Sequence, residues 1–184
     1  MHEWVRIHLY LSYMAILDTL LRRPEAVPAL LPCYLSHSSN LQGRIRLHCS
    51  GKVDESVLRE KIALKLGFGI LKKLKTGTNT TIKTIHSTDP RGSEEEISAL
   101  IREGRWRVIR TGEDIDRADL QRYLNSKLNP SFRDTVERPW KIEQEQRYQD
   151  LMNRLMDSRL MKCSEYESLP ELSGVYVFLH HREF

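Results

Sequence analysis

The stretch YLSHSSNLQGRIRLH, residues 34–48, holds a tyrosine, an Asn-Leu pair and, four residues apart, Arg44 and His48. On a helix, residues at i and i+4 share one face, so this arginine and histidine are spaced to reach one phosphate together. Beyond the pair, Arg46, Lys52, Arg59, Lys61, Lys65, Lys72, Lys73, Lys75 and Lys83 fall in a segment whose only acids are Asp54, Glu55 and Glu60. Such a segment can neutralise phosphates. A solvated helical face is the plainer reading of the same composition, and Arg-x-x-x-His alone carries no specificity.

Positioning these side chains requires a strand that runs into a helix. LPCYLS, residues 31–36, is a short apolar run that reads as a buried strand, and HSSN after it supplies Ser and Asn as helix N-caps. The helix from Leu41 should stop near Ser50-Gly51. VDESVLREKIALKLGFGILKKLK reads as more helix interrupted at Gly67 and Gly69, and TGTNTTIKTIHSTDPRGS as an extended excursion or loop. SEEEISALIREG begins like a capping box, Ser93 with Glu96, and ends at Gly104. RWRVIRT is a half-buried strand, DRADLQRYLNSKLNP a helix ending before Pro130, and WKIEQEQRYQDLMNRLMDSRLMK a charged helix with an apolar stripe. GVYVFL, near the last residue, is the strongest strand signal in the chain. Residues 3–23 read as a helix ahead of a proline-containing connector.

At 184 residues with 40% hydrophobic and 29% charged side chains, the chain has the composition of a soluble globular domain. No apolar run approaches the roughly 18 residues of a membrane span, so no membrane partner is expected. Cys33, Cys49 and Cys163 are odd in number and lack close pairing, which supports neither a disulfide framework nor a structural zinc and leaves a reducing cytoplasm as the default. Net charge is +4.

YLSHSSNLQGRIRLH resembles the second signature block of the GIY-YIG nucleases, where a strand ending Tyr-Ile-Gly leads into an Asn-Leu helix start, an arginine and a histidine. Tyr34 matches the tyrosine, Leu35 and Ser36 stand where Ile and Gly usually sit, and Arg44 and His48 fall in register. LPELSGVYVF resembles the first block, with Gly174, Val175 and Tyr176 in the Gly-Ile-Tyr places. In the family that block comes first; here it lies at the opposite end. A circular permutation, with the last strand docked antiparallel beside Leu31–Ser36, is the favoured explanation; a truncated second copy, and IHLYLSY as a degenerate first strand, stay open. DLQRYLNSKLNPSFR is similar to the family's glutamate-bearing helix, but Gln121 takes the glutamate place and Arg133 the asparagine place.

The resemblance implies an α+β fold, a small mostly antiparallel central sheet flanked by helices. Residues 1–29 would form an N-terminal helix and connector, and residues 30–184 the GIY-YIG-like domain with a helical insertion at about 52–104. It also implies a metal-dependent DNA endonuclease hydrolysing phosphodiester bonds, with an inactive nucleic-acid-binding module on the same scaffold as the alternative. Tyr34 or Tyr176 would orient or deprotonate the water, Arg44 would hold the scissile phosphate, and His48 would assist proton transfer or position Tyr34. Gln121 would be the ligand to Mg²⁺ or Mn²⁺, weakened by its lack of charge. Asp119 or Asp116 could substitute for it, the metal could be lost, or the glutamine could replace a native glutamate. Arg46, Lys61, Lys65, Lys72, Lys73 and Lys75 are the expected DNA contacts.

Overall fold

The structure, a computed structural model, describes residues 29–77, 80–132, 139–169, 171–182 and 184. The helix expected over residues 3–23, and Arg133, lie outside them. Strand β1 (Leu31–Ser38) is followed by helix α1 (Leu41–Ser50), α2 (Val57–Lys65), the hairpin strands β2 (Gly69–Leu74) and β3 (Thr81–His86), and α3 (Pro90–Glu103). Then come β4 (Arg105–Arg110), α4 (Arg117–Leu128), α5 (Glu145–Asp157) and β5 (Gly174–His180).

The last strand is the middle one. β5 pairs antiparallel with β1 on one side, Leu35 opposite Val177 and Ser36 opposite Tyr176, and with β4 on the other, Val108 opposite Tyr176. Every residue of β5 is buried, which explains its nearly unbroken apolar run: a central strand covered on both faces has no polar side to alternate with. Its side chains divide between two cores. Tyr176 and Phe178 join Tyr34 and Trp106 under α1, α2 and α3, whereas Val175, Val177 and Leu179 pack with Leu35 and Ile109 under α4 and α5. The fold is therefore α+β, with small antiparallel sheets flanked by helices.

The outer edge of β1 is covered by the chain that leaves α4. Ser131 and Phe132 donate their backbone N–H groups to the Pro32 and Cys33 carbonyls, at 3.3 and 2.7 Å. On the far side, Trp106 of β4 exchanges backbone hydrogen bonds with Met161. Both edges of the three-stranded sheet are thus partly satisfied.

Three expectations need correction. Residues 69–74 are a strand and not a continuation of helix, and residues 81–86 return against them, so the 52–104 segment holds a helix, a two-stranded hairpin and a second helix. Lysine at positions 72, 73 and 75 hid the alternation, because most of this hairpin faces water and only Ile85 is fully buried. Helix α3 starts earlier than the Ser93–Glu96 pattern suggests: Asp89 is its N-cap, accepting from the Gly92 N–H, with Pro90 at the first position. Finally, Cys49 at the end of α1 and Cys163 form a disulfide across 114 residues, leaving buried Cys33 as the free thiol. Spacing in sequence could not reveal it, since the fold alone brings the two together.

Candidate functional site

Strand pairing brings together three of the side chains singled out in the sequence. Tyr34 on β1 and Tyr176 on β5 have ring centroids 6.3 Å apart, and His48 of α1 lies 5.7 Å from Tyr34 and 5.5 Å from Tyr176. Asn40 caps α1 by accepting the Gly43 N–H at 2.7 Å, while Leu41 and Ile45 bury the same side of the helix as His48. That burial aims the imidazole into the sheet.

His48 stands at the centre of a short polar chain. Its Nε2 lies 2.8 Å from the Tyr176 hydroxyl and its Nδ1 2.6 Å from Ser56 Oγ, with the Trp106 ring stacked parallel at 5.6 Å. Burial, with Arg44 and then Arg59 nearby, pushes the imidazole down to about 3, so the ring is neutral at physiological pH. A neutral imidazole donates from one nitrogen only, so at least one of Tyr176 and Ser56 donates to it. Ser56 also accepts the Arg59 N–H as the N-cap of α2, and this ties the ring to the start of that helix.

Burial, then the neighbouring Tyr34, raises the Tyr176 hydroxyl well above its ordinary value; hydrogen bonding from Ser36 and the charge of Arg44 work the other way. Proton transfer from this phenol to His48 is strongly uphill in the free protein, because burial pushes the phenol well above its ordinary value and the imidazole down to about 3. The arrangement holds an oriented, protonated phenol, not a tyrosinate.

Arg44 is exposed on α1, above this cluster. Its charge is felt by His48, by Tyr176 and by half-buried His37 at the end of β1, whose imidazole is pushed down by burial, then by Arg117, and also by Arg44. Arg44 and His48 therefore do not present a common surface. The arginine is at the rim, and the histidine, 1% exposed, acts on Tyr176 from beneath, which corrects the expectation that both reach one phosphate.

The metal position fares differently. Gln121 on α4 donates from Nε2 to the Leu35 carbonyl at 3.4 Å, so its side chain helps to close the β1 edge. Of the two proposed substitutes, buried Asp119 is fully engaged, whereas Asp116 uses only Oδ1 in capping and keeps Oδ2 exposed, 4.0 Å from the Lys141 ammonium. Asp119 is 1% exposed and accepts from Arg122, the Lys141 N–H and the Tyr148 hydroxyl. Burial raises its pKa, but these three donors outweigh burial and hold the carboxyl below the usual range. Asp116 caps α4 by accepting from the Ala118 and Asp119 N–H groups. Mg²⁺ favours carboxylate oxygens, and an amide at position 121 supplies no charge. Gln121 is a poorer fit to the implied ion than a carboxylate would be.

The basic residues fall into two groups. Arg46 is exposed on α1 near Arg44; Lys65, Lys72, Lys73 and Lys75 are exposed at the end of α2 and on the hairpin. Lys61 departs from the expectation, being half-buried with its ammonium donating to the Phe132 carbonyl at 3.5 Å. Sequence reasoning missed Ser36, His37, Ser56 and Trp106. Ser36 lies beside Tyr34 on the expected strand 31–36, so that assignment already placed it near Tyr176; His37 fell in the stretch read as a helix cap, and Ser56 and Trp106 left no signal, because their contacts with His48 exist only after folding. Comparison with family models, curated proteins and solved structures found no match.

Proposed function

We propose that this chain is a nucleic-acid-binding domain built on the scaffold of the GIY-YIG nucleases, with the Gly-Ile-Tyr strand moved to the end of the chain. The observation that carries the reading is the convergence of Tyr34, His48 and Tyr176 beneath exposed Arg44, which follows from β5 lying beside β1. Arg44 pairs with a backbone phosphate, the phenol of Tyr176 is held by His48, and the lysines of α2 and the hairpin add charge along the strand. Binding is favoured over cutting because Gln121 brings no charge to the metal position.

Metal-dependent endonuclease activity of the GIY-YIG type, on DNA, is the second reading. It is favoured by the retained Tyr176–His48 hydrogen bond, which orients the phenol. The two separate in one experiment. Anisotropy titration of a labelled duplex should show binding that weakens steeply with salt and falls by roughly tenfold or more in Arg44→Ala. Plasmid incubated with Mg²⁺ or Mn²⁺ should stay intact with the native chain. Cleavage that appears in Gln121→Glu and vanishes in Arg44→Ala would establish the nuclease reading, and salt-insensitive or absent binding would remove both.

A further inference from the structure

At the other end of β5 lies a second cluster that the nucleic-acid reading does not use. His180 closes the strand fully buried, its Nε2 makes no side-chain hydrogen bond among the described residues, and that nitrogen lies 3.7 Å from Oε2 of exposed Glu103 at the end of α3. His181, exposed, stacks on His180 with ring centroids 4.4 Å apart. One donor atom from each of the three side chains lies within 4.8 Å of the other two.

We propose that Glu103, His180 and His181 bind a divalent transition-metal ion of the Zn²⁺ class. Two imidazoles and a carboxylate are the donor set such ions take, and three protein ligands leave a fourth position for water or another ligand. Bonds of about 2.0–2.1 Å at tetrahedral angles put neighbouring donors roughly 3.4 Å apart. The present spacing closes to that by small rotations of Glu103 and His181, both at the surface and free to move. Mg²⁺ is a poor occupant, since it prefers an octahedron of oxygens.

The geometry is what points to a ligand: the buried His180 ring meets the Glu103 carboxylate and the stacked His181 ring at one corner of the surface. Loading has one requirement. The Arg182 N–H donates to His180 Nδ1 at 2.9 Å, which places the ring's proton on Nε2 in the free protein. Coordination through Nε2 moves that proton to Nδ1, and the Arg182 amide turns away within the bend after the strand. Four residues along a strand put this ion roughly 13 Å from Tyr176, too far to share its phosphate. The ion clamps the end of α3 to the end of the central strand, independently of what the Arg44 corner does.

The test is a titration of the oxidised full chain with Zn²⁺ against a chromophoric chelator, repeated with Co²⁺ to read coordination from its visible absorption. One ion per chain is expected, with tetrahedral Co²⁺ bands, a shifted Arg182 amide resonance, and no displacement by excess Mg²⁺. His181→Ala and Glu103→Gln, both surface changes, should each weaken binding by about tenfold or more while leaving the circular dichroism unchanged. Absent Zn²⁺ binding, or binding equally tight in both variants, would overturn the assignment.

Discussion

His48 couples the chemistry of the candidate site to the stability of the fold. Its folded pKa of about 3 lies below the ordinary 6.5, so as pH falls the unfolded chain takes up this proton first. The stabilisation is complete above about pH 6.5 and drains away as pH drops toward 3, by about 2 kcal/mol at pH 5. Urea denaturation at pH 7 and pH 5 should show that loss, and His48→Gln should flatten it. His180 and His37, both pushed down chiefly by burial, slope the same way. Arg44 behaves differently: exposed and outside the core, its replacement by alanine should leave thermal unfolding within about 0.5 kcal/mol of the parent while weakening DNA binding. The residue scale is also where sequence was most informative, because Tyr34, His48 and Tyr176 do converge. It was least informative for Gln121, whose commitment to the Leu35 carbonyl depends on how α4 meets the edge of β1.

At the scale of elements, β5 carries the largest burden. Gly174 opens it where a Cβ would collide with the Ile109 carbonyl and the Leu41 side chain, so the glycine of the Gly-Val-Tyr run is needed for packing whatever the site does. Gly174→Ala should cost about 1–3 kcal/mol, measured by denaturant melts. The disulfide joins α1 to the segment before β5, and reduction should lower stability by about 2–4 kcal/mol, as seen by comparing melts with and without a reductant. Most elements were legible: β1, α1, β4, α4 and β5 stand where the strand alternation and caps put them. The β2–β3 hairpin was not, since Ile70 pairs with Ile85 but few other apolar residues mark its inner face. Its turn passes through Gly77 at φ +80°, a left-handed conformation suited to glycine, yet that single cue cannot separate a hairpin turn from a loop.

For the whole molecule, the order of elements in the chain and their order in space diverge. The first described strand and the last are neighbours, and the last divides the core in two, so removing residues 174–184 should abolish cooperative unfolding instead of trimming an end. This topology could be anticipated only because Gly-Val-Tyr at one end and Tyr-Leu-Ser at the other suggested two halves of one site. The cores themselves, the disulfide and the Glu103–His180–His181 cluster arise from contacts between residues distant in sequence, which periodicity does not encode. The central claim is that the Arg44 corner, and not merely the lysine-rich hairpin, meets nucleic acid. Following the Arg44 Nε–H resonance while a short duplex is titrated tests it most directly. A shift that saturates together with binding, accompanied by changes at Tyr34 and Tyr176, is the predicted result; shifts confined to Lys72, Lys73 and Lys75, with the Arg44 signal unmoved at saturation, would contradict it.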